Sequence, residues 1–161
     1  MGRVLLIILV PILFGGCFQA PYTTPCVFFP MENQDWNSKK HDNQYYIAHA
    51  GGAIQGHKYT NSLEALKKSL TNGYKFIELD LIKTSDNKII ASHDWDYFSK
   101  ITQSENSKNK KVSLKEFKNR KIHKQFSTLT STQIKYYMRN NPDMILVTDK
   151  IKDFSLLKET F

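Results

Sequence analysis

Two acidic residues and two histidines have types and spacing that suit metal-assisted hydrolysis. Glu78 and Asp80 stand two residues apart in an extended run, so their carboxylates lie on one face of a strand and can share a cation. Carboxylate oxygens suit Mg²⁺ and Ca²⁺, and such a cation neutralises a phosphate and polarises its phosphorus. Because imidazole titrates near neutrality, His49 and His93 can serve as general base and general acid. The combination predicts cleavage of a phosphodiester.

Three predicted strands would bring these residues together. A short apolar run, Tyr45 to Ala48, ends at His49, and the run Lys75 to Lys83 contains both acids. A third apolar run, Met144 to Thr148, ends at Asp149. Ligands gather at the C-terminal ends of the strands in a parallel sheet, so Asp149 is the expected third metal-ligating acid.

Helix-start patterns separate these strands. Asn61 is the expected N-cap of a first helix, with Glu64 three residues on, where it can bond the backbone N–H of the cap. Ser113 and Thr130 are the expected N-caps of two more helices, and the chain closes on a further apolar run. The stretch 99–126 is polar and lysine-rich without a long periodic run, which indicates an excursion. This alternation of strands and helices predicts an α/β fold with a parallel sheet.

Each of these signals also has a purely structural interpretation. A Glu-x-Asp pair is more often a solvated strand face, and a single histidine is more often a surface or core residue than a catalytic one. His41, His57 and His123 are assigned to that structural class. Asp149 can equally be a turn residue or a helix cap. The joint placement of the others at strand ends favours the catalytic interpretation.

The composition favours a folded, basic protein. The chain has 161 residues with 40% apolar content and a formal net charge of +8, from 23 basic and 15 acidic residues. Such a charge suits a polyanion or an anionic membrane surface, and it equally suits a soluble lysine-rich face. No recognition motif for nucleic acid accompanies it. A basic segment from Lys100 to Lys124 that binds anionic lipid is a further interpretation.

The N-terminus has the layout of an export signal. A charged start precedes the apolar run Val4 to Phe14 and two glycines, so residues 1–17 are predicted to be a signal peptide, a lipoprotein signal or a membrane anchor. Small residues before Cys17 are typical of bacterial lipoprotein cleavage, and a disulfide with Cys26 is the alternative use of that cysteine. Residues 18–43 are predicted to be a tether. The expected location is the bacterial cell envelope, at the membrane.

Ordered blocks of the sequence resemble the glycerophosphodiester phosphodiesterase family, whose motifs are similar to those of the phosphatidylinositol-specific phospholipase C-like TIM-barrel phosphodiesterases. The matching blocks are Ile47 to Gly52, Asn61 to Ala65, Phe76 to Asp80, Thr84 to Asp86 and the pair His93-Asp94, and Val147 to Lys150 resembles the block with a third metal-ligating acid.

The resemblance implies roles for particular residues. His49 and His93 match the acid/base pair of the family, and Glu78 and Asp80 match two of its metal ligands. Asp149 matches the third ligand, which is usually Glu in the family. The resemblance further implies a TIM (β/α)8 barrel, a Ca²⁺ or Mg²⁺ cofactor, and hydrolysis of glycerophosphodiesters or related phospholipid headgroups.

The sequence departs from the family pattern at two motif positions. Ala50 stands where the family usually has Arg, and Thr60 stands where it usually has Glu. Loss of the Arg removes a bidentate phosphate contact, which Lys58 or Lys150 is expected to replace. The departures bear on the identity of the substrate more than on the class of reaction.

The predicted domain is short for a barrel. A complete barrel takes about 250 residues, so residues 44–161 leave room for about three to four of its βα units. We therefore expect a truncated, N-terminal part of a barrel with open sheet edges. Activity would then need a complementary C-terminal half or self-association. The alternative is a non-catalytic envelope lipoprotein or a truncated remnant of such an enzyme.

Overall fold

The computed structural model of the protein describes the backbone of residues 4–6 and all atoms of residues 42–104 and 110–161. Outside these ranges lie nearly all of the predicted export signal and tether, together with His41 and both cysteines. Among the described residues, no helix has the length and apolar character needed to cross a membrane.

The elements follow the predicted alternation of strands and helices, which confirms the α/β class. The strands are β1 Val4–Leu6, β2 Ile47–Ala48, β3 Phe76–Glu78, β4 Leu81–Lys83, β5 Ile89–Ala91, β6 Lys121–Ile122, β7 Phe126–Ser127, β8 Leu129–Thr130 and β9 Ile145–Thr148. The helices are α1 Leu63–Thr71, α2 Trp95–Ile101, α3 Leu114–Asn119, α4 Ser131–Asn140 and α5 Phe154–Thr160, with 3₁₀ turns at Asn43–Tyr45 and His49–Gly51.

A parallel sheet with the order β1-β9-β3-β2 forms the base of the fold. In β3 and just beyond it, Ile77 and Leu79 are fully buried, and they pack in one core with Leu66 of α1 and Ile134 of α4. Leu146 of β9 belongs to the same core. The apolar face predicted from alternation is therefore the buried face, and helices cover it.

A second, antiparallel sheet with the order β4-β5-β8 is built from the chain between Asp80 and the start of α4. The predicted excursion 99–126 belongs to this part and contains α3 and the hairpin of β6 and β7. Its own cores are small: Phe98 and Phe117 pack with their rings 4.8 Å apart, next to Trp95.

The predicted strand Lys75 to Lys83 is wrong as a single strand, because it splits at Asp80. The N–H of Leu79 still bonds to the carbonyl of Val147 in β9, at 3.0 Å. The N–H of Asp80 bonds instead to the side chain of Asn61, so the parallel ladder ends there. The chain then enters the antiparallel sheet through β4, and Asp80 stands at the junction of the two sheets.

Two of the three predicted helix caps are confirmed. Thr130 forms the complete capping box of α4, and Ser113 caps α3. The prediction for the first helix is wrong: Ser62 caps α1, while Asn61 has a positive φ of 50° and bonds elsewhere. Glu64 does not reach back to its own helix but accepts a bond from the backbone of Ser127.

Candidate active site

Three carboxylates converge at the C-terminal end of the parallel sheet. Glu78 ends β3, Asp80 lies two residues further, and Asp149 directly follows β9. One oxygen of each lies within 4.8 Å of the others. We call these residues the carboxylate cluster. It joins Glu78 and Asp80, two residues apart, to a third acid that follows the neighbouring strand, and this convergence is what the sequence predicted.

Glu78 is the most constrained member of the cluster. Its Oε2 accepts a hydrogen bond of 2.7 Å from the backbone N–H of Ala50 and lies 3.7 Å from Nε2 of His49. Burial raises the pKa of Glu78, and the neighbouring Asp80 and Asp149 raise it further, while the Ala50 N–H and His49 act in the opposite direction. A half-buried carboxylate with two acidic neighbours favours a bound cation or proton.

Asp80 is almost fully buried, with 3% of its surface exposed, and it is held by Asn61. Asn61 Nδ2 donates to Oδ2 of Asp80 at 2.9 Å, and Asn61 Oδ1 accepts from the N–H of Asp80 at 3.0 Å. Thr60, where the family usually has Glu, is also buried, and its hydroxyl lies 2.9 Å from that of Ser62. Asn61 therefore orients a cluster carboxylate, a role that the cap pattern in the sequence did not indicate.

His93 is oriented by the next residue. Nδ1 of His93 lies 2.7 Å from Oδ2 of Asp94, whose other oxygen accepts the N–H of Tyr97 and caps α2. Burial opposes ionisation of Asp94, but the bonds from Tyr97 and His93 outweigh it and hold the pKa of Asp94 below its usual range. An ionised Asp94 can only accept, so Nδ1 carries the hydrogen and Nε2 of His93 is left for a substrate.

Each of the two histidines has a tyrosine ring beside it. The ring of Tyr59 contacts His49 edge-on at 5.2 Å, and the ring of Tyr97 contacts His93 at 5.9 Å. Burial raises the pKa of Tyr97, and nearby Tyr59, Asp80 and Asp94 raise it further. The hydroxyl of Tyr97 therefore lies within electrostatic reach of both Tyr59 and the cluster. The backbone agrees, because the N–H of Ser92, next to His93, bonds to the carbonyl of Asp80 at 2.8 Å.

The two lysines expected at the phosphate line different cavities. Lys58 lines a cavity together with His49 and Tyr59. Lys150 follows the cluster residue Asp149 and lines a second cavity together with Asp94. The remaining described histidines, His57 and His123, stack on each other with their ring centroids 4.3 Å apart, and neither belongs to the carboxylate cluster.

The donor set suits a hard divalent cation. Ca²⁺ and Mg²⁺ take carboxylate oxygens, and three carboxylates this close repel one another unless a cation or proton offsets their charge. Glu78, Asp80 and Asp149 are the described residues that would hold it. The cluster is thus chemically fit for the metal that the sequence predicted.

A comparison with models of protein families shows which family the chain belongs to. The model of the glycerophosphoryl diester phosphodiesterase family matches residues 49–161, which is most of the chain. The chain belongs to this family. No curated protein matches the sequence. The family match begins at His49 and includes every described residue of the site, and it extends the resemblance beyond Trp95 to the C-terminal residue.

The structure also shows what Ala50 does at a position where the glycerophosphoryl diester phosphodiesterase family usually has Arg. Ala50, which replaces the usual Arg, has a fully buried side chain and a positive φ of 50°. This backbone conformation points the Ala50 N–H at Glu78. Residue 50 therefore holds the carboxylate of Glu78 by a hydrogen bond from its main chain. This bond does not depend on which side chain stands at that position.

Proposed function

We propose that this chain catalyses the divalent-metal-dependent hydrolysis of glycerophosphodiesters or of related phospholipid headgroups. The observation that carries the proposal is the carboxylate cluster, with oxygens within 4.8 Å, in direct contact with His49 through Glu78. It occurs in a chain of the glycerophosphoryl diester phosphodiesterase family. The proposed cation is Ca²⁺ or Mg²⁺.

In the proposed reaction, the two histidines move protons at the attacking and departing oxygens. One imidazole takes a proton from water as the new P–O bond forms, and the other gives a proton to the alcohol oxygen as the old P–O bond breaks. The products are a phosphomonoester and an alcohol. Asp94 fixes the Nδ1–H tautomer of His93, and Tyr59 packs against His49. A bound divalent cation would neutralise the phosphate and polarise its phosphorus.

Lys58 and Lys150 are the proposed phosphate contacts in place of the missing Arg. Both are exposed, and neither forms an ion pair within the described ranges. As point charges they would attract the phosphate without the bidentate geometry of Arg. Weaker phosphate binding than with an Arg is the expected result.

The decisive experiment measures the hydrolysis of several glycerophosphodiesters by the purified chain with Ca²⁺, with Mg²⁺ and with a chelator. We expect hydrolysis only with a divalent cation, and a loss of at least about 100-fold in Glu78→Gln and in His49→Ala. Glu159→Gln, an exposed acid on α5, is the control and should retain activity. Cation-dependent activity that persists in both site variants would refute the assignment.

We further propose that the domain is the N-terminal part of a barrel and acts together with a complementary half or a second copy. In the described sheet β2 pairs only with β3, and Ile47 of β2 is half exposed beside exposed Tyr45. An open, apolar strand edge favours such pairing. Specific activity that rises with protein concentration, and that Ile47→Lys abolishes without unfolding, is expected. Full activity of a dilute monomer would contradict the idea.

Residues 1–17 are the proposed export signal, which would hold the protein at the bacterial envelope. The apolar run before Cys17 supports this proposal, and a lipid on that cysteine is its sharper form. Cleavage before Cys17 would remove β1, so the parallel sheet of the processed protein would consist of β9, β3 and β2. Cell fractionation should find the chain with the membrane, and Cys17→Ser should release it if the anchor is a lipid. Recovery of the unaltered chain from the cytoplasm would exclude export.

A further inference from the structure

A cavity of about 690 Å³ is lined by residues from β4, from the start of α2 and from the segment between Asp149 and α5. Asp94, the partner of His93, forms part of its wall, and so does Lys150, the residue after Asp149. Asp94 thus links the cavity to His93, and Lys150 is the chain neighbour of a cluster residue, although neither His93 nor any residue of the cluster lines the cavity itself. It shares no lining residue with the smaller cavity of about 360 Å³ beside His49. A phosphodiester carries an organic group on each side of its phosphate, and one of them, here called the alcohol arm, leaves as the alcohol. The larger cavity offers room for this group.

The wall of this cavity has an excess of positive charge. Its two acids are already engaged, because Asp153 bonds to Lys83 at 3.0 Å and Asp94 bonds to His93. Three further lysines of the wall form no ion pair in the part of the chain that the structure describes. These lysines are Lys111, Lys150 and Lys152. Of these three, only Lys150 was expected from the sequence to contact the phosphate that is cleaved. Lys111 and Lys152 have no role in the proposed cleavage.

The apolar part of the wall does not form a site for a quaternary ammonium group. A choline site needs several exposed ring faces around the cation. Here Trp95 is only 9% exposed, and Phe154, at 51%, is the other aromatic residue of the wall. The unpaired lysines would repel a cationic headgroup at the same place. The wall instead suits an alcohol with an apolar or ring-shaped body and a negatively charged substituent.

We propose that this cavity binds the alcohol arm of the substrate and selects an alcohol that carries its own phosphate, through Lys111 and Lys152. Lys150, which follows Asp149 in the sequence, is the third lysine of the same wall. The inference rests on the proposed function, because it names the substrate class of the same site. The distinguishing feature is a preference for a second phosphate, which hydrolysis of the diester does not itself require.

A matched pair of substrates tests this preference. Glycerophosphoinositol and glycerophosphoinositol 4-phosphate differ by one phosphate on the alcohol. We expect kcat/KM to be about tenfold higher for the phosphorylated diester, and the ratio to fall toward one in the double variant Lys111→Gln/Lys152→Gln. The control double variant Lys67→Gln/Lys115→Gln changes the net charge equally with exposed lysines outside both cavities, and it should keep the ratio. An equal ratio in the wild type and the cavity variant would overturn the proposal.

A binding measurement separates failure of this inference from failure of the proposed function. Trp95 lines the cavity, and Trp36 is the only other tryptophan of the sequence, so Trp36→Phe leaves one fluorescent reporter. In this background with Glu78→Gln, inositol 4-phosphate should change the Trp95 emission, and inositol should not. The Lys111→Gln/Lys152→Gln change should weaken that binding about tenfold. Binding without hydrolysis would sink only the proposed function, and hydrolysis with no response to inositol 4-phosphate would sink only the cavity assignment.

The phosphate can belong to a soluble diester or to a lipid headgroup. Vesicles of phosphatidylcholine with phosphatidylinositol or with phosphatidylinositol 4-phosphate repeat the comparison at a membrane. If the phosphorylated substrate is preferred only in the soluble pair, the natural substrate is a soluble diester. If it is preferred only in vesicles, the natural substrate is a lipid with a phosphorylated headgroup. Absence of the preference in both arms would refute the inference.

Discussion

Asn61 and Asp80 are hydrogen-bonded to each other twice, through side chain to side chain at 2.9 Å and through backbone N–H to side chain at 3.0 Å. Both residues are buried. The pair ends the parallel ladder and aims one carboxylate of the cluster at its neighbours. A single amide side chain thus sets both the course of the chain and the geometry of a metal ligand.

Asn61→Ala should therefore cost stability and metal affinity together. Loss of both bonds leaves the buried Asp80 N–H without a partner, which costs about 1–3 kcal/mol. Affinity for Ca²⁺ should fall about 10–100-fold, as is usual when a ligand loses its orienting bond. Denaturant unfolding and calorimetric titration measure the two effects. Asn87→Ala is the matched control, because Asn87 is exposed and has a similar φ of 56° but no cluster partner. Equal losses of stability and of Ca²⁺ affinity in the two variants would show that the positive φ, and not the bonds to Asp80, causes the effect.

Glu78 should give the metal-free protein a characteristic pH dependence. Its pKa is raised above 4.5, chiefly by burial, so the folded state binds the proton more tightly than the unfolded state. Its contribution to stability is complete below the unfolded pKa and is lost as pH rises through the higher folded pKa. Denaturant unfolding at several pH values, with chelator present, measures this effect. The decrease in the free energy of unfolding as pH rises should disappear in Glu78→Gln and remain in Glu159→Gln.

The same variant should abolish stabilisation by the cation. At neutral pH, Ca²⁺ at 100 times its Kd should stabilise the wild type by about 2.7 kcal/mol and leave Glu78→Gln unchanged. Thermal unfolding with and without Ca²⁺ measures the difference. Equal stabilisation of the wild type and the variant would place the cation elsewhere.

Asp94→Asn should separate the orientation of His93 from the stability of α2. Asn is as good an N-cap as Asp, so the free energy of unfolding should change little, whereas Asp94→Ala should lose about 1 kcal/mol. Activity should fall at least about 100-fold in both, because Nδ1 loses its carboxylate acceptor. Nitrogen NMR of His93 should show the Nδ1–H tautomer in the wild type and a mixture in Asp94→Asn. An unchanged tautomer would leave Asp94 with a capping role alone.

Gly52→Ala should destabilise the loop that carries His49. A Cβ at Gly52 would clash with the Oγ of Ser69, and the φ of 95° already disfavours Ala. Together the two effects should cost about 2–4 kcal/mol, and adding Ser69→Ala should recover part of the loss by removing that Oγ. Gly56→Ala, with φ of 81° and no atom within 4 Å, measures the strain alone. Equal costs at the two glycines would show that the contact with Ser69 has no effect.

The sequence was sufficient for the cluster because two simple rules determine it. Alternation placed Glu78 and Asp80 on one face of an extended run, and parallel strand ends brought Asp149 beside them. Likewise, the cap of α4 was predictable because Thr130 and Gln133 bond within four residues. Local periodicity and local hydrogen bonds are the parts of a fold that a sequence states directly.

The residues that orient the cluster were not predictable in the same way. Asn61 satisfied a local cap pattern, but its partner Asp80 lies 19 residues away and takes both of its polar atoms. The electrostatic effect of Asp80 on Tyr97 depends on how the antiparallel sheet returns to the first one. Long-range partners of this kind compete with local patterns, and only the folded geometry decides which one wins.

The junction at Asp80 divides the site between two parts of the fold. The cluster belongs to the parallel sheet, whereas His93, Asp94 and much of the larger cavity come from the part of the chain between Asp80 and α4. That part leaves and rejoins the parallel framework at two points, so mutations within it can remodel the cavity while the metal ligands stay in place. The metal ligands and the wall that contacts the alcohol can thus be altered separately in one small domain.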